Sequence, residues 1–353
     1  MFSDILTSWG EKKYRILQVN HGIFRELVSD FSEISTLPEP LRKRFHQEKI
    51  EFSLLKPKKI VASSDGNTEK VLFRTHEGKY IESVLMHHKR RKTVCVSSQI
   101  GCPAGCVFCA TGKLGITRNL ETREIIEQVL FWSRHLKNEW QKTNPQEKWK
   151  PLNPPHEARV RNIVFMGMGE PLFNYENVVG AIKTLNDPKK FGIGVRHITV
   201  STVGIIPGIE KLMHEKLGVH LAFSLHAPTE ELRSSLVPMN KTFSLTKLMK
   251  VLDEFTKMTG RRIFYEYVVL QGKNDGDEDA KVLGKLLERR LAHVNFIPYN
   301  VNPECGDDLK KPEEKRIRDM QKILEKYNVP STIRLTMGDE IAGACGQLAS
   351  KEE

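Results

Sequence analysis

Three cysteines with a short, regular spacing are the feature of this sequence that most clearly indicates chemistry. Cys102, Cys106 and Cys109 form the pattern CxxxCxxC, in a stretch that also contains three glycines. Three thiolates on one short loop can hold a soft metal centre, whereas a closed structural site requires a fourth ligand. The pattern predicts a 4Fe-4S cluster with one iron left open. A structural zinc site with a distant fourth ligand, or thiols that are merely close together, are the alternatives.

Glycines and polar residues follow several predicted strands directly. Gly169 and Glu170 come after the apolar segment 162–166. Glycine lets the backbone approach a ligand, and a carboxylate accepts hydrogen bonds from one. Each such residue, taken singly, is more often a turn, capping or core residue. Their repeated position at strand ends predicts one shared binding site, which also includes Ser201, Ser224, Leu225, His226 and Asn300.

Two further cysteines are 250 residues apart, and spacing alone does not show whether they meet. A buried free cysteine usually acts as a small apolar side chain. Cys95, however, lies on the predicted strand that leads into the cysteine loop. Cys345 stands among small residues, in Gly343-Ala344-Cys345-Gly346, and such surroundings suit a nucleophile that must move between partners. Cys305 matches no role.

Alternating strands and helices are predicted to position these residues. Strands are predicted at 93–98, 162–166, 197–201, 220–224, 263–270, 293–297 and 332–335. Helical patterns lie between most of them, at 121–132, 176–185, 209–215, 245–258, 279–290 and 312–327. About six βα units in a row predict an α/β fold, a partial (βα)6 barrel of the TIM type, with functional residues at the C-terminal ends of its strands.

Smaller units are predicted before the barrel. Residues 1–58 show helical periodicity, with a short helix at 41–47, and predict an N-terminal helical accessory domain. Residues 59–92 predict a β-hairpin linker with strands at 70–74 and 80–85, and 93–353 form the core with its C-terminal cysteine loop. The basic, proline-containing run 56–59 predicts the boundary. The lysine- and proline-rich segment 138–159 predicts a surface insertion.

Composition excludes several classes of protein. Of 353 residues, 39% are hydrophobic, too many for a disordered chain, and no apolar run approaches the roughly 18 residues that span a bilayer. The N-terminus lacks the uninterrupted apolar centre of a secretory signal, so we expect a soluble, cytoplasmic protein. The net charge of +11 is concentrated at 42–44, 56–59 and 87–92, which predicts one basic surface beside the active face.

Longer strings around these residues carry a resemblance that covers most of the chain. They are Cys95-Val-Ser-Ser-Gln-Ile-Gly-Cys102, Phe165-Met-Gly-Met-Gly-Glu170-Pro-Leu, Ser224-Leu-His226-Ala-Pro, Asn295-Phe-Ile-Pro-Tyr-Asn300 and Gly338-Asp-Glu-Ile-Ala-Gly-Ala-Cys345-Gly-Gln-Leu. The sequence resembles the radical S-adenosylmethionine (radical SAM) superfamily and, within it, the RlmN/Cfr family of RNA adenosine methyltransferases. The resemblance implies that the three loop cysteines hold the cluster and that the strand-end residues line SAM.

The resemblance also implies a mechanism that uses two molecules of SAM per turnover. The first methylates Cys345, and the reduced cluster splits the second to give a radical that takes hydrogen from the S-methyl group. The methylene radical adds to an adenine ring carbon. Cys95 then releases the RNA by forming a disulfide with Cys345. Glu82 matches the family's proton acceptor, although a strand carboxylate facing solvent is the ordinary interpretation.

The implied substrate is an adenosine of 23S rRNA, methylated at carbon 2, with transfer RNA as a second candidate. The base must be unstacked to reach a buried radical, so we expect it in an unpaired region. An electron donor such as a flavodoxin system is implied, and we expect a monomer with no membrane partner. The alternatives are a Cfr-like enzyme for carbon 8 and, from another class, a zinc-stabilised RNA-binding module without catalysis.

Overall fold

A small helical module with an aromatic core opens the chain in the computed structural model, which describes residues 1–350. Its helices are α1 Ser3–Ser8, α2 Lys13–His21 and α3 Glu39–Gln47, with a π-helical turn at Gly22–Glu26 and a 3-10 turn at Phe31–Glu33. Phe31 and Phe45 stack with ring centres 3.9 Å apart, and Phe2 packs edge-on against both. The helix predicted at 41–47 is confirmed.

A ten-stranded sheet forms the frame of the remaining chain. In spatial order its strands are β1 Lys56–Ala62, β2 Thr68–Arg74, β3 Tyr80–His88, β4 Arg91–Cys95, β7 Val160–Phe165, β8 Ile198–Thr202, β9 His220–Ser224, β10 Ile263–Val269, β11 Ala292–Pro298 and β12 Ser331–Ile333. Strands β1 to β4 are antiparallel, and β4 pairs in parallel with β7, as do all later neighbours. The strands β5 Gln99–Gly101 and β6 Ile116–Asn119 form a separate pair.

Helices cross over between the parallel strands. They are α5 Thr122–Thr143, α6 Tyr175–Asn186, α7 Ile206–His214, α8 Glu230–Leu236, α9 Leu245–Thr259, α10 Asp277–Leu287 and α11 Glu314–Glu325, while the short α4 Ala110–Lys113 follows the cysteine loop. In α9, for example, Leu245, Leu248 and Leu252 recur on the buried face, and Gly260 ends the helix in the left-handed region. The predicted α/β class with a partial barrel is confirmed, and so are the seven predicted strands, with small shifts at their ends.

The helix α5 extends eleven residues beyond the end predicted from sequence at 132, so the start of the predicted insertion 138–159 is helical. The cause is an apolar stripe: Trp132, Leu136 and Trp140 recur every four residues, and all three are buried. Beyond the helix, Trp149 packs against Trp140 and donates from its indole Nε1 to the carbonyl of Arg25, at 3.1 Å. The segment therefore lies against the N-terminal module.

The basic run 56–59 is not a boundary, because β1 begins at Lys56 and pairs with β2. Its lysines occupy an exposed edge strand, where charge opposes pairing with another chain. The hairpin strands β2 and β3 are confirmed, but they belong to the same sheet as the core. The division into three domains stays a prediction.

The expected single basic surface is wrong. The register pairs Lys56 with Arg74 and Arg74 with Tyr80, at one end of the sheet. His88 pairs with Arg91 at the other end. The runs 56–59 and 87–92 therefore lie at opposite ends of the strands. Within residues 1–350, no helix combines the length and the apolar character that crossing a membrane requires.

One buried carboxylate joins the N-terminal module to the core. Glu127 on α5 accepts from the amides of Leu54 and Leu55 at 2.7 and 3.0 Å and from the hydroxyl of Ser53 at 2.7 Å. Its second oxygen pairs with Arg123 at 2.8 Å. A carboxylate offers acceptors only, which suits a position that faces four donors.

We predict that Glu127→Gln destabilises the protein by about 2–4 kcal/mol, because the amide nitrogen would face buried N–H donors. The melting temperature should fall by several degrees. Glu139→Gln on the same helix is the control, since Glu139 is exposed and its ion pair with Lys142 is a surface pair. Equal melting temperatures for the two variants would contradict the role of Glu127.

Candidate active site

Two adjoining cavities lie within the curved sheet and share one wall. The first cavity, at the C-terminal ends of the parallel strands, is lined by the cysteine loop and by Gly169, Glu170, Ser201, Ser224, His226, Glu266 and Asn300. The second cavity, of about 460 Å³, extends along the barrel interior and is lined among others by Val84, His88, Arg91, Thr93, Cys95, Asn162 and Thr199. The shared wall consists of Met166, Ile297, Asn300, Arg334 and Cys345.

The cysteine loop leaves the β5–β6 pair at a point that only glycine permits. Gly101 has φ +79°, and a Cβ atom there would lie 2.0 Å from the carbonyl oxygen of Gly115. The amide of Cys102 donates to that same oxygen at 2.6 Å. Because glycine adopts positive φ without a steric cost, the loop can close at its base. Cys102 and Cys106 are then buried, and all three thiols line the first cavity.

The donor set fits an iron–sulfur cluster. Burial raises the pKa of all three thiols, that of Cys102 to about 12, so thiolates at this site require the positive charge of a metal centre. Within residues 1–350, no three His, Cys, Asp or Glu side chains converge closely enough to hold a single metal ion. This is compatible with a cluster, because each thiolate then binds a different iron. Phe108 shields the loop and packs edge-on against His226, with ring centres 4.7 Å apart.

Glu170 joins the ends of two strands at the edge of the first cavity. Its carboxylate oxygens accept from the amides of Leu172 at 3.0 Å and Val203 at 2.8 Å. Burial raises the pKa of Glu170 to about 7, although both hydrogen bonds oppose that shift. Gly169 has φ +101°, and a Cβ atom there would meet the Gln99 side chain at 2.6 Å. The Gly-Glu turn is thus packed tightly behind the cavity, with the carboxylate on its wall.

The next two strand ends bring three of the four predicted residues to the first cavity. The hydroxyls of Ser201 and Ser224 lie 3.5 Å apart on its wall. Leu225 instead points into the hydrophobic core, fully buried, and its amide donates to the carbonyl of Glu266. His226 has φ +59°, and its Nδ1 accepts from the amide of Val268 at 3.0 Å. Burial lowers the pKa of His226 to about 3, so the ring is neutral with its proton on Nε2.

Cys345 lies at the wall between the cavities, in the loop that follows β12. Asn300 holds this loop: its Nδ2 donates to the carbonyl of Cys345 at 3.1 Å, and its Oδ1 accepts from Thr336 at 3.2 Å. Cys345 is exposed, and it lines both cavities. Surrounding protein raises the pKa of its thiol, and the guanidinium of Arg334 opposes that shift.

Cys95 lines the second cavity and is close enough to Cys345 for the two thiols to interact electrostatically. Burial raises the pKa of Cys95 to about 12, and the neighbouring Cys345 adds to the shift. All six cysteines, which lie within residues 1–350, are free thiols, so the predicted disulfide is not present in this structure. Cys305 is half-buried, beside Tyr299.

Sequence reasoning missed two charged residues near Cys345: Arg334, partly exposed on the shared wall, and Glu266, buried in the lining of the first cavity. Arg334, directly after β12, lies with Nη1 3.5 Å from the carboxylate of Glu266 on β10. Glu266 also accepts from Asn295 at 2.9 Å. Both thiols, Cys95 and Cys345, lie within electrostatic reach of Arg334. The available signal was positional: Arg334 follows the last strand, where a barrel presents its functional residues.

Glu82 is buried on β3, so the solvent-facing interpretation is wrong. Side chains alternate along a strand, and Val84 and His88 line the second cavity, so Glu82 also faces the barrel interior. Its own carboxylate lies outside the lining of both cavities. It pairs with Lys70 at 2.7 Å and accepts from the amides of Ala349 and Ser350 at 2.8 and 3.0 Å. The end of the described chain therefore covers it.

Comparisons with known proteins give the family of the chain. The profile of the Radical SAM superfamily matches residues 155–283. A probable dual-specificity RNA methyltransferase RlmN from Chloroflexus aurantiacus is 42% identical over 99% of this chain and 90% of its own length. The chain belongs to the RlmN family. A family member from Nitrosopumilus maritimus, a ribosomal RNA large subunit methyltransferase N, is 39% identical over 98% of this chain and 94% of its own length.

The crystal structure of a radical SAM methyltransferase from Sphaerobacter thermophilus has the same fold. The two chains superpose with a TM-score of 0.90 at 39% identity, over 99% of this chain and 96% of the other. Membership in the RlmN family makes this protein an enzyme of SAM-dependent methyl transfer. The non-catalytic zinc module is therefore wrong as an account of the chain.

We predict that Arg334→Met shifts the alkylation of Cys345 to higher pH, because the cation that favours the thiolate is lost. The measurement is the rate of carbamidomethylation of the Cys345 peptide by iodoacetamide, followed by mass spectrometry, over a pH range that extends well above the ordinary thiol pKa, because the pKa of Cys345 is raised. Arg334→Lys keeps the charge and should preserve most of the wild-type profile. The same midpoint for Arg334→Met and wild type would exclude this role of the arginine.

Proposed function

We propose that this RlmN-family enzyme methylates carbon 2 of an adenosine in 23S rRNA, with transfer RNA as a second candidate substrate, and that Cys345 carries the methyl group. One observation carries the proposal: the Cys345 thiol lines both cavities. A group that receives methyl in one cavity and delivers it in the other must lie on their shared wall. The names of the relatives, which specify RNA and the large ribosomal subunit, support an rRNA substrate.

The first cavity suits a 4Fe-4S cluster together with SAM. Cys102, Cys106 and Cys109 would hold the cluster, and the strand-end residues would hold SAM. Oε2 of Glu266, on the wall of this cavity, makes no hydrogen bond within residues 1–350 and has only the 3.5 Å ion pair with Arg334, so it keeps acceptor capacity for a polar ligand. When bound, SAM and the cluster supply a methyl group and a radical that can activate an inert C–H bond.

The remaining roles belong to the chain's own residues. Cys345 takes the methyl group on its sulfur, and Arg334 favours the thiolate that this displacement needs. Cys95 resolves the RNA adduct by a transient disulfide with Cys345. Glu82 accepts the proton that leaves the adenine ring. For this step the tail at Ala349 and Ser350 must release at least part of the carboxylate.

Several further statements stay predictions. They are the use of two SAM molecules per turnover, a flavodoxin-type electron donor, a monomeric state and a cytoplasmic location. The contribution of Gly169, Glu170, Ser201, Ser224, Leu225, His226 and Asn300 to SAM binding also stays a prediction. The contribution of Leu225 to SAM binding would come from its backbone, because its side chain is in the core.

We predict that Cys345→Ala abolishes RNA methylation, whereas Cys95→Ala accumulates a covalent protein–RNA adduct, because the first lacks the methyl carrier and the second cannot release the product. Denaturing gels of anaerobic reactions with labelled RNA measure both effects. Cys305→Ala is the matched control and should turn over normally, since its thiol lies outside both cavity linings. Normal turnover by Cys345→Ala would refute the methyl-carrier role.

We predict that nucleosides from treated 23S rRNA contain 2-methyladenosine. Liquid chromatography with mass spectrometry, against standards of the 2-methyl and 8-methyl isomers, decides the position. A product of 8-methyladenosine alone would identify the Cfr-like alternative. The same assay on bulk transfer RNA tests the second substrate.

A further inference from the structure

A group of basic residues outside the two cavities lines a depression between the end of α5 and the start of β7. We call this depression the insertion pocket; it measures about 360 Å³ and its basic residues are Lys148, Lys150, His156, Arg159 and Arg161. Trp140 also lines it, and Glu147 is the one acidic residue of its lining within residues 1–350. Most of it belongs to the segment 138–159, which the sequence marks as an insertion.

These five basic residues are unpaired. Among residues 1–350, their side chains form neither an ion pair nor a hydrogen bond, although Glu147 lies in the same lining. Surface lysines elsewhere do pair, as Lys142 does with Glu139 at 2.7 Å. Burial and the guanidinium groups of Arg161 and Arg25 lower the pKa of Arg159. Like charges gathered without partners destabilise the folded chain, and they are typical of a site for an anionic ligand.

The insertion pocket is held in place by contacts to the N-terminal module. Trp140 and Trp149 pack with ring centres 6.1 Å apart, and the Trp149 indole donates to the carbonyl of Arg25. Lys137, in the same helix, donates to the carbonyl of Glu26 at 2.7 Å. A preformed cationic site loses little conformational entropy on binding.

The register of the sheet connects the insertion pocket to the second cavity. Lys92 on β4 lies opposite Val160 on β7, so Arg159 and Arg161 flank the start of β4. At the same end, His88 and Arg91 line the second cavity. Lys89 and Arg90 are exposed in the turn between β3 and β4. Basic side chains thus extend from Arg91 in the second cavity, around the N-terminal ends of β4 and β7, to the insertion pocket, with Glu157 as an acidic neighbour near Lys92.

We propose that the insertion pocket binds backbone phosphates of the substrate RNA, next to the adenosine that enters the second cavity. The inference rests on the proposed function, because it takes RNA as the substrate. Phosphate contacts position a nucleic acid without reading its sequence. The insertion would then fix the RNA from the end of the barrel opposite the cysteine loop.

The test compares RNA binding by two triple variants of the cluster-loaded enzyme under anaerobic conditions. The first is Lys148→Gln with Lys150→Gln and Arg161→Gln. The second, the control, removes the same charge from the exposed face of α9 through Lys247→Gln, Lys250→Gln and Lys257→Gln. The probe is a fluorescein-labelled 23S rRNA transcript, and its anisotropy gives the dissociation constant at several salt concentrations.

The plot of the logarithm of the association constant against the logarithm of salt concentration should be less steep by about 2–3 in the insertion-pocket variant. Its affinity should be about tenfold lower at 0.1 M salt. The control should keep the wild-type slope. Should Arg161→Gln perturb the strand, the double variant Lys148→Gln with Lys150→Gln replaces it, since both lysines are exposed. Its salt dependence should be less steep by about 1–2. RNA-independent cleavage of SAM should be equal in all variants.

An unchanged slope in the insertion-pocket variants, with wild-type enzyme that binds and methylates the RNA, would overturn this inference alone. Equal losses in the insertion-pocket variant and the α9 control would also overturn it, because net charge would then explain the effect. Wild-type enzyme that neither binds nor methylates the transcript would overturn the inference together with the proposed function.

Discussion

One thiol has to be held where two cavities meet, and much of the C-terminal structure depends on that constraint. The loop after β12 has little regular structure, so separate contacts fix it. Asn300 holds the carbonyl of Cys345, Gly346 accepts from the amide of Ala110 beside the cysteine loop, and Glu82 accepts from the tail. Each contact consists of one hydrogen bond or of a few. A hydrogen bond between neutral partners contributes about 1 kcal/mol net to stability. Such a loop can be ordered and still be released locally.

Buried charges around that thiol are compensated in two different ways. Glu170 is held by backbone amides, which fix the turns beside the first cavity. Glu266 is paired with Arg334 at 3.5 Å, a looser contact that leaves the guanidinium within reach of both thiols. Because Arg334 is partly exposed and the contact is long, this ion pair contributes little to stability, so its position beside two thiols is better explained by their chemistry.

The sequence predicted the elements well where one periodicity dominated a segment. The parallel strands and the helices between them repeat with clear apolar spacing, and glycine and proline punctuate them. The end of α5 was missed because charged residues surround Trp140, although its spacing from Leu136 continues the buried stripe. The run at Lys56 was misjudged because an edge strand faces solvent on most sides and shows no apolar alternation.

For the site, the cysteine loop and the strand-end polar residues reached one cavity as predicted, while Leu225 turned into the core. Glu266 and Arg334 were missed because they are far apart in sequence and come together only when β10 and the end of β12 fold on either side of β11.

In the proposed reaction, Cys345 accepts a methyl group from SAM before any RNA is present. The direct measurement is peptide mass spectrometry of the cluster-loaded enzyme after anaerobic reduction and incubation with SAM that carries a trideuterated methyl group. A deuterated methyl group on the peptide that contains Cys345, and its absence from the Cys345→Ala protein, is the predicted result. Unmodified Cys345 in enzyme that nonetheless methylates RNA would contradict the account.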